Sequence, residues 1–169
     1  LSGGLTTEMP DDLLPCTLNK APDDPLPEPT PTPRPDKIYI NNATAGAEES
    51  GNPVTASYDN NDTTRWANDG SVSNAWVQYN FGSIQTIDEL DILFYKGSYP
   101  TYPMRITVGS TTVFSGDTTT GPGFKVTFPA VIADSIVLEM SGNNSDGSGW
   151  LSIYEIRIYG PLFLGDVNH

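Results

Sequence analysis

Eleven residues, AlaSerTyrAspAsnAsnAspThrThrArgTrp at positions 56 to 66, concentrate the oxygen chemistry of this 169-residue chain. From Asp59 to Thr64 every side chain is a carboxylate, an amide or a hydroxyl. A hard cation such as calcium takes roughly six to eight oxygens at about 2.3–2.6 Å, drawn from carboxylates, carbonyls and hydroxyls together, and such a loop supplies them at close range. The register of an EF-hand loop is absent. The same composition suits a turn in which Asp and Asn side chains bond their own backbone, and the residues alone leave both readings open.

Other chemistries find few parts. The only histidine is His169, so no Ser or Cys nucleophile has a histidine base within the apolar-patterned part of the chain. Thirteen acids between positions 37 and 160 always provide carboxylate pairs, and their presence alone does not specify a glycosidase. The chain is therefore expected not to be an enzyme. A lone cysteine, Cys16, makes no internal disulfide, and no Cys/His cluster offers a zinc site. A net charge of −13 excludes nucleic acid, whose phosphates require clustered Lys and Arg. No apolar run approaches the roughly 18 residues that span a bilayer, and the first residues lack the pattern of a signal peptide. The chain reads as soluble, or as a piece of something larger.

The elements that position the loop follow from uneven composition. Residues 1–36 hold nine of the 15 prolines, seven acids against two bases, and no aromatic residue. Without aromatics such a segment buries too little apolar surface to offset its conformational entropy. Its stretch PLPEPTPTPRP, from Pro25 to Pro35, favours polyproline II and reads as a semi-rigid, proline-rich linker. Residues 37–160 hold 16 of the 17 aromatics. There, short runs at 37–41, 76–82, 87–95, 104–109, 111–115, 124–128, 135–140 and 151–160 alternate with period two or are rich in β-branched residues. Turn-forming residues separate them. The expected fold is all-β, an antiparallel β-sandwich or jelly roll of about eight strands over 37–160. Residues 161–169 read as a connector to a downstream domain. Within IDELDILFY, Leu90, Ile92 and Phe94 share the core face; in the last strand Glu155 is an acid beside core positions and needs a partner.

Asp59-Asn60-Asn61-Asp62-Thr63-Thr64-Arg65-Trp66 resembles the D-G-N-x-x-T-x-W motif of the discoidin-like, coagulation factor 5/8 C-terminal type domains, which include the family 32 carbohydrate-binding modules. WVQYNFG (76–82) is similar to the W-[IV]-x-[VY]-[DN]-[LF]-G strand of that family, and WLSIYEIRIYG (150–160) to its closing W-x-S-I-x-E-[IV]-x-[IV]-Y-G strand. The resemblance covers nearly all of 37–160 and is strongest to modules attached to secreted bacterial polysaccharide-degrading enzymes, alginate lyases among them. It implies a structural Ca2+ held by the side chains of Asp59, Thr64 and Glu155 and by carbonyls of Ala56, Asn61, Thr64 and Tyr154. Asn60 replaces the motif glycine; a turn that needs positive φ tolerates Asn better than most residues.

The same resemblance implies a polysaccharide as partner, with catalysis in a neighbouring domain of the same polypeptide, no nucleic acid or membrane, and a monomer. Sugar recognition needs an aromatic face and a few planar polar groups on loops held by a rigid scaffold. The loops offer Arg65, Trp66, Asn68, Lys96, Tyr99, Tyr102 and Trp150. Trp66 and Trp150 belong to family motifs, so for each of them packing beside the oxygen-rich loop competes with sugar contact. Convergence of Arg65, Lys96 and Arg105 would suit an acidic chain such as alginate. The net charge of −7 on 37–160 opposes one at long range, which keeps a neutral galactose-type glycan equally open. A structural spacer or protein-docking domain of the same fold, without a sugar site, is the competing reading.

Overall fold

The computed structural model describes residues 36–95 and 100–162, so the expected linker before Asp36, the loop residues Lys96 and Tyr99, and the tail from 163 lie outside the described residues. Eight strands form, β1 (Lys37–Ile38), β2 (Asn42–Ala45), β3 (Trp66–Ala67), β4 (Trp76–Phe94), β5 (Pro103–Val108), β6 (Thr111–Asp117), β7 (Gly123–Met140) and β8 (Ser152–Tyr159). Among the described residues the only helices are single 3-10 turns at Val54–Ser57 and Val72–Asn74, and none is long and apolar enough to cross a membrane.

All pairings are antiparallel, in the order β1-β8-β4-β7-β5-β6, with β2 beside β4 and β3 beside β8. The strand count agrees with the sequence, but its composition differs. Runs 76–82 and 87–95 are one strand, as are 124–128 and 135–140. Residues 83–86 separate the two runs and, on sequence, are expected to connect two strands; instead Gly82 adopts φ 77° and the chain bends without leaving the sheet. Register shifts between Asn80 and Gln85 mark this bend. The first half of β4 then pairs with β2 and the second half of β7, while its second half pairs with β8 and the first half of β7. Two bent strands thus serve both layers of a sandwich.

The core lies between the layers. Leu90, Ile92 and Phe94 are buried, as their alternation predicts, against Ile106, Leu138 and Ile156. Each such side chain contributes about 1.5–3 kcal/mol on leaving water. Tyr79 carries its polar end inside, where its hydroxyl meets Ser57 Oγ at 2.9 Å and Ser57 Oγ donates to the Val54 carbonyl. Burial holds the Tyr79 hydroxyl well above the ordinary phenol range.

β8 explains how the early loop meets the end of the domain. It is buried on both faces, with Ile153, Ile156 and Ile158 on the core and Glu155 only 1% exposed. The two-residue strand β3 pairs with it through Trp66 to Ile153 and Ala67 to Ser152. Residues 59–65 enter β3 directly and are therefore laid beside Glu155, 95 positions away in sequence from Asn60.

Candidate functional site

The oxygen-rich loop folds on itself. Asp59 Oδ1 accepts the Asn61 N–H at 2.9 Å, and Asn61 Oδ1 accepts both the N–H and the hydroxyl of Thr63. The Thr64 hydroxyl lies 2.7 Å from Asp59 Oδ2 and 3.0 Å from the Asn61 carbonyl. Asn60 has φ 61°, the only positive φ of a non-glycine among the described residues, so the motif position does require the left-handed conformation. Its N–H donates to Glu155 Oε2 at 3.1 Å. Self-bonded Asx turns and convergence of oxygens thus coexist in one loop.

Glu155 is the electrostatic anomaly of this region. Burial is the largest influence on its carboxyl and pushes it up to about 7, against the opposing pull of Arg157 and Lys37. Those two cations are committed elsewhere, Arg157 to Asp62 at 2.5 Å and Lys37 to the Asn60 side chain. Among the described residues Glu155 has no ion-pair partner of its own. A buried carboxylate in that position is costly unless a cation is supplied. Ala56, Asp59, Thr64 and Tyr154 line one cleft of about 540 Å³ beside it. No group of three or more His, Cys, Asp and Glu side chains gathers among the described residues. Asp59 is the one acid that lines this cleft, and Glu155 and Asn61 do not line it. A cation drawn to both Asp59 and Glu155 would rest on two carboxylates completed by a hydroxyl and carbonyls, which is the donor set of a hard, oxygen-seeking ion.

A second cleft, of about 260 Å³, opens next to the first. Trp150 stands at its mouth, 40% exposed. The indole rests on Gly70, where an added Cβ would lie 2.8 Å from Trp150 Cε2 and where φ is +81°. Only glycine meets both requirements. Arg65 lines the same cleft. Its Nη1 donates to Ser152 Oγ at 2.6 Å, its Nη2 lies 3.3 Å from Glu49 Oε2, and its guanidinium sits 4.2 Å over the ring of Tyr95. Tyr95 is 39% exposed. Asn144, buried, fixes the loop below Trp150 by donating to the Trp150 carbonyl and accepting from Ser148.

The sequence candidates separate accordingly. Arg65 and Trp150 line the cleft. Tyr102 lines it with little more than an edge, being 3% exposed with its ring 4.6 Å from Phe94, and burial pushes its hydroxyl up to about 12. Trp66 and Asn68 do not present themselves to a ligand. Trp66 is fully buried with its indole N–H on the Ala47 carbonyl. Asn68 is fully buried and spends its amide on the Ser71 and Gly149 carbonyls and the Leu151 N–H, tying two loops together. Arg105 pairs with Glu139 on the neighbouring strand and does not line the cleft. Lys96 and Tyr99 lie outside the described residues. Glu49, Tyr95 and Asn144 were missed as site residues, although Tyr95 and Asn144 stand in loops whose composition suited a ligand.

Comparison with known proteins places this geometry in context. Residues 42–156 match the family model of the F5/8 type C domain. Among solved structures, the chain is similar to the CBM32 of AlyQ in complex with 4,5-unsaturated mannuronic acid, at 29% identity and a TM-score of 0.63, over 74% of this chain and 98% of that one. Truncated AlyQ with CBM32 and alginate lyase domains matches at 29% identity and a TM-score of 0.64, over 76% of this chain and 34% of that one. A pectin-binding carbohydrate-binding module matches at 26% identity and a TM-score of 0.63, over 76% and 96%. A search of curated protein sequences finds no significant match.

Proposed function

The chain belongs to the F5/8 type C domain family, and from that premise we propose that it is a family 32 type carbohydrate-binding module that holds a linked polysaccharide lyase or glycoside hydrolase on its substrate. The observation that carries this reading is Trp150, a partly exposed indole seated on Gly70 and lining one cleft together with the Arg65–Tyr95 stack. A fixed aromatic face takes the apolar side of a sugar ring, and a guanidinium already anchored by Ser152 and Glu49 takes its hydroxyls or carboxylate with little further loss of entropy. Similarity to modules that carry a mannuronate ligand or bind pectin supports the same class of ligand.

The module itself has no reaction to perform. Its contribution is effective concentration, because a tethered enzyme held on an insoluble or viscous polymer meets substrate repeatedly. Any catalysis belongs to a neighbouring domain, and the resemblance to a chain that combines CBM32 and alginate lyase domains supports that arrangement. Such a protein acts outside the bacterial cell, where polysaccharide is found, and the module acts as a monomer. Alginate and neutral galactose-type glycans are both candidate ligands; Glu49 and Asp146 beside Arg65 leave the cleft without a positive excess among its described residues.

A structural Ca2+ would be held by Asp59, Thr64, Glu155 and the carbonyls of Ala56, Asn61 and Tyr154. When bound it would neutralise two carboxylates and clip the early loop to β8. Affinity electrophoresis tests the main reading: migration is expected to slow in gels containing alginate or galactan, and Trp150→Ala is expected to restore free migration. Unretarded migration of the unaltered protein in every gel would favour the spacer or protein-docking reading.

A further inference from the structure

We propose that the ligand is an internal stretch of a polysaccharide, about three sugar residues long, lying along a trough that runs from Trp150 past Tyr95 to Tyr154; the inference rests on the carbohydrate-binding reading above. Three clefts lie in series on this side of the domain. The Trp150 cleft, of about 260 Å³, shares Arg65 and Tyr95 as a wall with the central cleft of about 540 Å³. The central cleft shares Tyr154 and Thr63 with a third of about 420 Å³. Each shared pair includes one tyrosine, and Tyr95 and Tyr154 stand with ring centroids 5.5 Å apart at 54°.

Recognition of a chain end needs one pocket. Here Trp150 lines the first cleft with the Arg65–Tyr95 stack, whose guanidinium covers one face of the Tyr95 ring, and Tyr95 and Tyr154 line the next, so aromatic surface and a planar donor recur along the trough. Successive sugars present a matching recurrence of apolar faces and hydroxyls. Tyr154 lies in β8, and Tyr95 directly follows β4 with its N–H donating to the Ser152 carbonyl at 3.0 Å. Asp59 and Thr64 line the central cleft, so the chain would pass beside the oxygen-rich loop.

Titration calorimetry with mannuronate and galacto-oligosaccharides of one to six residues, in calcium-containing buffer, tests this. For the series that binds, affinity is expected to rise about tenfold from mono- to trisaccharide, a step of roughly 1.4 kcal/mol, and then level off. Tyr154→Ala is expected to bring the trisaccharide-to-monosaccharide affinity ratio close to one, and Tyr154→Phe to keep it. A flat length dependence for the unaltered protein would overturn the trough while leaving the Trp150 cleft intact. Failure of monosaccharide and oligosaccharide alike, in both series, would remove the trough together with the reading it rests on. If Tyr154→Ala does not fold, the length series on the unaltered protein decides alone.

Discussion

The guanidinium of Arg65 lies 4.2 Å over the ring of Tyr95, joining the residue that follows the oxygen-rich loop to the last described residue before a second loop. The pair is half open to solvent, where a cation–π contact is worth about 0.5–1 kcal/mol. A double-mutant cycle with Arg65→Ala and Tyr95→Ala, read by urea unfolding, is expected to give a coupling of that size. Either single change is expected to weaken sugar binding about tenfold, because each removes one side of the cleft wall. Arg65→Lys is expected to behave nearly as Arg65→Ala, since an ammonium cannot stack flat while reaching both Ser152 and Glu49. Additive single effects would show that the stack is coincidental.

Gly70→Ala strikes Trp150 from beneath. The substitution combines a φ of +81° with a Cβ placed against the indole, so backbone strain and steric displacement add. About 1–3 kcal/mol of stability is expected to be lost. The more specific outcome is optical: the emission of Trp150 is expected to shift and retention on polysaccharide to fall, even where the variant remains folded. Unchanged retention would mean that the seat on Gly70 does not set the platform.

How far the sequence reached is clearest from two tryptophans. Trp66 and Trp150 have equal standing as motif residues, and nothing in residue type separates them. Register does: Trp66 pairs directly with Ile153 inside the sheet, whereas Trp150 precedes β8 and is carried outward beyond Gly149, where any side chain would meet the Gly70 carbonyl. Period-two alternation was enough to find Leu90, Ile92 and Phe94, because burial on one face leaves a local imprint. It was blind to the bend at Gly82, the last residue of one expected strand, and to Glu49, whose role depends on a partner 16 positions away.

Asn68 provides a test of that distinction. It is polar, adjacent to the ligand loops and fully buried, and its three hydrogen bonds are all to backbone. Asn68→Ala leaves the Gly149 carbonyl and the Leu151 N–H without a partner, while the Ser71 carbonyl keeps the Asn74 N–H. Roughly 2–6 kcal/mol of stability is expected to be lost, at about 1–3 kcal/mol for each of the two groups left unsatisfied. Asn68→Asp is expected to cost no less, because it adds a buried charge and loses both donated bonds. Thermal or urea unfolding measures this directly. A variant with wild-type stability and lost sugar binding would return Asn68 to the ligand-contacting set.

Glu155 supports the sharpest prediction about the cation. In the absence of a divalent ion its buried carboxylate is a burden, eased by the Asn60 N–H but not by an ion pair of its own. The upward displacement of its carboxyl, to about 7 and chiefly from burial, has the sign of that burden, since raising an acid above its unfolded value disfavours the charged form in the folded state. Glu155→Gln keeps the shape and an acceptor for Asn60 while removing the charge. The two proteins are therefore expected to exchange rank with conditions. In chelator at neutral pH the variant melts at or above the unaltered protein. In millimolar calcium the unaltered protein gains about 5–10 °C, as expected for a ligand about a hundredfold above its dissociation constant on a domain of this size, and the variant gains little. Melting curves that coincide with and without calcium for the unaltered protein would sink the assignment. A gain shared equally by the variant would move the ion away from Glu155 and leave Asp59 and the carbonyls to hold it.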